Sequence, residues 1–307
     1  MLKSFEEVIE KAINYGPKIL SVAVSQAEDV MTAVEQARQM GLINGILVGD
    51  KEETIKVCQE LNINPKNYEI IDKQDKDEPA RTAVRLVREK KADLLMKGML
   101  GTARLLKAVL DKEIGLRTQQ LLSHAYVLKL KNYERLLTVT DGAMNIAPGL
   151  EQKVQIVQNV INFCHCLEIK IPKIAILAAL ELVNPDMPAT IDAACLSKMA
   201  ERGQIEGAIV DGPLAFDNAI SKEAALRKGI QSSVSGEVDA VLVPDIESGN
   251  IFAKSLVYLA KAEPAGVLLG TTAPVVLVSR SDNPLSKIRS IALAILISKY
   301  HDNKKII

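Results

Sequence analysis

Pro274-Val-Val-Leu-Val-Ser279-Arg280-Ser-Asp282-Asn-Pro284-Leu-Ser-Lys287-Ile-Arg289 passes from an apolar run, through five polar residues, into a helix start. Val275–Ser279 reads as a buried strand. Asp282 or Asn283 is placed to cap a helix with Pro284 at its first position. A serine, an arginine and an aspartate thus arrive together at the carboxyl end of a strand, the edge where ligands gather in open α/β sheets. An arginine fork beside a hydroxyl suits a substrate that carries phosphate. Arg280 there is costly to bury without an anionic partner, which is either a substrate or an internal carboxylate.

Outward from this stretch, short β-branched runs alternate with amphipathic helical patterns. Strands are expected at Ile19–Val24, Gly45–Val48, Glu69–Ile71, Asp93–Lys97, His124–Leu130, Leu136–Thr140, Lys173–Ala178, Gly207–Val210, Ala240–Val243 and Val275–Ser279. Helical patterns lie between most of them, among them Glu78–Lys90, Asn218–Lys228, Asn250–Lys261 and Pro284–Lys299. Such alternation implies βαβ units and a mostly parallel sheet with helices on both faces, an α/β fold. The polar loop Asp141–Pro148 divides the chain into two halves of similar length.

Composition narrows the function. Lys+Arg and Asp+Glu both number 38, a balance that argues against a nucleic-acid or membrane-surface protein. The residues Met1-Leu-Lys-Ser-Phe-Glu-Glu begin an acidic amphipathic helix rather than a signal peptide, so a cytoplasmic protein is expected. Four scattered cysteines make no disulfide framework. Cys164-His165-Cys166 falls in a helical pattern, where neighbours two apart face different ways, and no second pair has zinc spacing. The expectation is no metal and no cofactor. There is no GxxxxGK[ST] loop, GxGxxG fingerprint, GxSxG elbow or HExxH pair.

Four further strand-to-helix junctions carry polar or glycine signatures. Lys97-Gly98 through Gly101 either lets a phosphate approach the backbone or makes a tight turn. Asp141 and Asp211 each precede a glycine, first of all a turn signal. Ser248-Gly249-Asn250 offers backbone N–H groups at a helix start, with Lys254 one turn in. It is an anion cradle or an ordinary capped helix.

Together these junctions resemble the phosphate acetyl/butyryltransferase family, nearer its butyryl branch. The resemblance rests on six segments in order. They are Leu95-Met-Lys97-Gly98; Ser123-His124; Leu137-Thr-Val-Thr140-Asp141-Gly-Ala-Met-Asn145-Ile-Ala-Pro148; Val210-Asp211-Gly-Pro213-Leu-Ala-Phe-Asp217-Asn-Ala219; Val243-Pro244-Asp245-Ile-Glu-Ser-Gly249-Asn250; and Pro274 through Arg280. The resemblance implies a two-domain fold like that of isocitrate and isopropylmalate dehydrogenases. Residues 1–140 with 272–307 would form one domain and 141–271 the other, with the active site in the cleft and a homodimer as the usual assembly. It implies reversible acyl transfer between CoA and phosphate, without metal or covalent acyl-enzyme.

In that chemistry Arg280 would clamp phosphate, and Ser279 or neighbouring backbone N–H groups would donate to the developing oxyanion. Lys97, Gly98, Asp141, Asn145, Asp211, Gly249, Asn250 and Lys254 would bind phosphate or CoA. The acetyl branch of the family places a catalytic aspartate seven residues after the serine, and here that position is Ser286. Asp282 is therefore the expected base, with Asp211 behind it. Phosphate acetyl transfer and a non-catalytic acyl-CoA-binding regulatory domain are the alternatives. A metal- and NAD-dependent decarboxylating dehydrogenase is disfavoured because no set of acidic metal ligands is evident.

Overall fold

A computed structural model describes residues 1–75, 77–279 and 282–304 of the chain. Two compact units result, an N-terminal one of residues 5–120 and 265–307 and a central one of residues 1–4 and 121–264. Among the described residues no helix is long and apolar enough to cross a membrane.

The N-terminal unit opens with α1 (Phe5–Ile13), which buries Phe5, Val8 and Ala12, the spacing of one helical face. Then β1 (Lys18–Ala23), α2 (Glu28–Gln39), β2 (Ile43–Gly49), α3 (Lys51–Glu60), β3 (Glu69–Asp72), α4 (Glu78–Arg88), β4 (Leu94–Lys97) and α5 (Thr102–Val109) follow in βα rhythm. Strands β1 and β4 are buried at Leu20, Val22, Leu94 and Leu95, as both-face packing by helices requires.

The central unit continues with β5 (Ser123–Lys129), β6 (Leu136–Thr140), α6 (Leu150–Cys166), β7 (Lys173–Leu177), α7 (Pro188–Glu201), β8 (Ile209–Leu214), α8 (Phe216–Ile220), α9 (Lys222–Arg227), β9 (Ala240–Leu242) and α10 (Ile246–Tyr258). Its strands run in the order β5-β6-β9-β7-β8, with β5–β6 antiparallel and the other pairs parallel. Leu137, Val139, Ala175 and Val241 belong to its core. On α6, burial raises the Cys164 thiol well above its usual range, which suits a protonated core residue.

The chain then returns through β10 (Glu263–Leu269), β11 (Val275–Val276) and α11 (Pro284–Lys304). The N-terminal unit's strands are ordered β3-β2-β1-β4-β11-β10. All these pairs are parallel except β10–β11, where Val267 faces Val276. From β1 the chain spreads to β2 and β3 on one side, then crosses to β4 on the other. That makes the carboxyl ends of β1 and β4 a topological switch point.

Several expectations are corrected. Strand β11 covers two residues instead of the five of Val275–Ser279, so Ser279 lies beyond the ladder. Strand β10 was not expected, because Pro264 and Gly266 read as breakers; pairing with β11 overrides them. The helix expected over Asn218–Lys228 is two, broken at Ser221, whose hydroxyl caps the second. Strands β5 and β6 fall in the central unit, where β6 pairs with β9. The division therefore lies at 120/121 and 264/265, not at 140/141 and 271/272.

Candidate functional site

Three parallel strands of the N-terminal unit, β1, β4 and β11, end side by side. Lys97 closes β4 and is 3% exposed, its Nζ lying 3.4 and 3.5 Å from the Gly98 and Leu100 carbonyl oxygens. The next two amides turn back onto β1: Gly98 N–H donates to Ala23 O at 2.9 Å and Met99 N–H to Val24 O at 2.8 Å. A Cβ on Gly98 would lie 2.0 Å from Val24 O, so the turn requires glycine for close approach. Val24 has φ 61°, a region that a β-branched residue enters only at a cost of about 1–3 kcal/mol. Such strain concentrates at functional edges.

Beyond β11, Ser279 N–H donates to Asp282 Oδ2 at 2.8 Å and Asp282 N–H to Ser279 O at 3.2 Å, so two hydrogen bonds tie the two residues together. Arg280, and Ser281 with it, lies outside the described residues. The cap of α11 is Asn283, whose Oδ1 accepts from Ser286 N–H at 2.9 Å and from the Ser286 hydroxyl at 3.0 Å. The carboxylate of Asp282 thus serves Ser279 and leaves helix capping to its neighbour. Ser286, where the acetyl branch carries aspartate, is 1% exposed.

A cavity of about 560 Å³ opens at the same edge of the N-terminal unit. Val24, Gln26, Asp50, Lys73, Met99 and Arg104 line it, from the ends of β1, β2, β3 and β4. Asp50 caps α3 through Glu53 N–H at 2.9 Å. Lys73 lies 3.1 Å from Glu78 Oε2, and Arg104 Nε 3.8 Å from Asp77 Oδ1. Arg104 stands in the first turn of α5, whose N-cap, Gly101, supplies no side chain. Cationic groups, an apolar wall at Met99 and a helix N-terminus can together hold an anion joined to an apolar group. Sequence reasoning missed Lys73 and Arg104, because neither belongs to a motif.

The central unit gathers four of the expected binding residues. Asp141 is 2% exposed. Its Oδ1 accepts from Ala143 and Met144 N–H at 3.0 Å each, and its Oδ2 from Asn145 N–H at 3.2 Å and Asn145 Nδ2 at 2.6 Å. Asn145 Nδ2 also donates to Leu122 O at 2.8 Å, and Asn250 Nδ2 to Gly142 O at 3.1 Å. The helix expected to start at Asn250 starts at Ile246. Asp245 caps it by accepting from Ser248 N–H at 2.8 Å, and this hydrogen bond, with that of the Ser248 hydroxyl, lowers the Asp245 pKa. Gly249 and Asn250 therefore sit one turn inside the helix, and Gly249 N–H donates to Asp245 O. What Asp141, Asn145, Gly249 and Asn250 build is a braced turn against a helix.

Lys254 is solvent-exposed on α10. Asp211 stands apart from this group. It lies within β8, which runs through the Asp-Gly-Pro segment instead of ending at Val210, and β8 is three positions from β6 in the strand order. Its Oδ1 accepts from Gly212 N–H at 2.8 Å and from the Ser197 hydroxyl at 3.4 Å. His124, in β5, is 2% exposed and meets Tyr126 edge-on at 4.6 Å.

Residues 73–295 match the family model described as phosphate acetyl/butaryl transferase. The chain is 45% identical, over 97% of its length and 99% of the relative's, to phosphate butyryltransferase of Clostridium acetobutylicum. It is 43% identical, over 94% and 98%, to phosphate acetyltransferase of Thermotoga maritima. Among solved structures, a branched-chain phosphotransacylase from Enterococcus faecalis superposes with a TM-score of 0.83 at 31% identity, covering 92% of this chain and 99% of that one. The fold extends to 4-hydroxythreonine-4-phosphate dehydrogenase of Klebsiella pneumoniae, at TM-score 0.56 and 15% identity over 92% and 100% of the two chains. The expected isocitrate dehydrogenase-like α/β fold is thereby present.

Proposed function

We propose a butyryl-transferring activity for this chain, which belongs to the phosphate acetyl/butyryl transferase family and is a phosphate acyltransferase. The reaction is butanoyl-CoA plus phosphate to butanoyl phosphate plus CoA, reversible and direct. Ser279 hydrogen-bonded to Asp282, just beyond the strand that pairs with the one ending in Lys97, is the observation that carries the reading. A cation and a hydroxyl at one sheet edge suit a phosphate held against a thioester carbonyl, where positioning supplies most of the rate.

In this scheme Arg280 and Lys97 hold the phosphate, and a phosphate oxygen attacks the carbonyl carbon. Negative charge gathers on the former carbonyl oxygen, and the Ser279 hydroxyl donates to it. The C–S bond then breaks and CoA leaves as thiolate. A thiol titrates near ~8.5, so little acid help is needed. In the reverse direction Asp282 takes the thiol proton. The CoA phosphates sit at Arg104 and Lys73, in the cavity at the edge of β1 to β4. A homodimer belongs to the same reading, supported by Ile251 and Tyr258, exposed at 67% and 58% two turns apart on α10, and by its C-cap Leu259, exposed at 82%.

Butyryl and acetyl relatives match almost equally, so acyl choice is the point to test. The assay is thiol release from butyryl-CoA, acetyl-CoA and isobutyryl-CoA, with and without phosphate. Phosphate-dependent release that prefers the four-carbon thioesters supports the reading. A preference for acetyl-CoA replaces it with phosphate acetyl transfer. Tight acyl-CoA binding without release would make the chain a regulatory acyl-CoA-binding domain.

A further inference from the structure

Lys287 occupies an unfavourable place for a lysine. It lies in the first turn of α11, where the helix dipole repels a cation, and it is only 2% exposed. Burying an ammonium there is costly unless it is paired and hydrogen-bonded. Its Nζ meets Asp29 Oδ2, in the first turn of α2, at 2.7 Å, and it donates to the backbone carbonyl of Asp282. A buried ion pair is weak evidence for stability, since apolar residues of similar volume often serve as well. The pair does fix geometry.

The bonds form a chain. Asp29 holds Lys287, Lys287 holds the Asp282 carbonyl, and the Asp282 carboxylate holds Ser279 N–H. From the other side, the Ala23 and Val24 carbonyls hold Gly98 and Met99, and with them the end of Lys97. Both sets of bonds start from the same β1–α2 junction. That junction is the common reference for the two strand ends that bear Ser279 and Lys97.

We infer that Lys287 is a positioning residue, which through Asp29 holds Asp282, and with it Ser279, in register with Lys97 for acyl transfer. The inference rests on the proposed function for its kinetic consequence, whereas the anchoring itself does not. Lys287→Met keeps the aliphatic stem and removes the charge. Asp29→Asn, at a partly exposed site, removes the partner.

The test compares wild type, Lys287→Met, Asp29→Asn and the double variant. It uses steady-state thiol release at varied phosphate and butyryl-CoA, and hydrogen–deuterium exchange over residues 277–287. Lys287→Met should lose about 10- to 100-fold in kcat/KM for phosphate. Its KM for butyryl-CoA should stay within about twofold, because Arg104 and Lys73, which hold the CoA phosphates in this reading, are not displaced. Exchange over 277–287 should quicken at least about tenfold, while peptides of residues 121–264 stay as in wild type. The double variant should be no worse than Lys287→Met, as for two groups acting through one bond.

Wild-type turnover by Lys287→Met overturns the inference, and so does wild-type exchange over 277–287. If Lys287→Met fails to fold, Asp29→Asn decides by the same two readouts. If wild type itself releases no thiol, the proposed function fails and exchange alone judges the anchoring.

Discussion

Gly142 and Gly249 touch backbone to backbone. A Cβ on Gly142 would lie 2.7 Å from the Gly249 carbonyl carbon, and one on Gly249 would lie 2.8 Å from Gly142 Cα. Glycine is needed at both because each presents backbone to the other. Alanine at either position forces the Asp141 turn away from α10, an overpacking cost of about 1–3 kcal/mol. Urea unfolding should show this loss for Gly142→Ala and for Gly249→Ala. The double variant should lose less than the sum, since one displacement relieves the backbone clash that both share; the contact of a Gly249 Cβ with Val243 Cγ2, at 2.6 Å, stays the same in either background. A strictly additive pair would mean that the two sites yield independently.

Capping and chemistry separate at Asp282 and Asn283. Asn283→Ala removes the Ser286 bonds and should cost about 1 kcal/mol of stability with turnover retained. Asp282→Asn keeps an oxygen for Ser279 N–H and should leave stability near wild type. It should slow thiol consumption in the CoA-consuming direction, from butanoyl phosphate and CoA, by about 10²-fold or more if the carboxylate accepts the thiol proton. Equal rates for Asp282→Asn and wild type would remove Asp282 as the base.

The alternation of strand and helix was legible because β1, β2, β4, β6 and β7 are mostly buried and rich in aliphatic residues. Strand β10 was not, because a proline and a glycine in a strand read as breakers until the partner strand is known. Lys97, Gly98, Ser279 and Asp282 were legible as residues ending strands, and the structure brings them to neighbouring strand ends. Gly249 and Asn250 were read as a helix start because Ser-Gly-Asn looks like a cap. The true cap, Asp245, stands four residues before Gly249. The burial of Lys287 and the cavity lining by Arg104 were illegible, since both are tertiary properties. The one sequence hint at Lys287 was a lysine where a helix dipole disfavours it.

Arg104 offers a direct test of the cavity. It lies in the first turn of α5, and its nearest acid, Asp77, is 3.8 Å away and 55% exposed in its side chain. That loose pair leaves the guanidinium available to an anionic ligand. Arg104→Gln should raise KM for butyryl-CoA about tenfold with kcat nearly unchanged, the signature of uniform binding lost. KM for phosphate should not move. A variant with wild-type KM for butyryl-CoA would place the CoA phosphates elsewhere.

Acid stability should depend on Glu35. Arg38 grips its carboxylate with two nitrogens at 2.9 and 2.7 Å, Tyr68 donates its hydroxyl at 2.5 Å, and Gln39 adds a bond at 2.8 Å. The Arg38 hydrogen bonds, aided by those from Tyr68 and Gln39, outweigh burial and lower the Glu35 pKa to about 2. The same pairing raises the Arg38 value, and burial, with the bond to Glu35, raises that of Tyr68. Because the folded value lies below the unfolded one of 4.5, the contribution is present in full above pH 4.5. It is lost as pH falls from there through about 2. Linkage sets its size at about 3 kcal/mol. Glu35→Gln keeps the shape and removes the charge, so the wild-type advantage in urea should be largest near neutrality and shrink steadily below pH 4.5. A gap that stays constant down to pH 2 would show that packing, and not ionisation, is what Glu35 contributes.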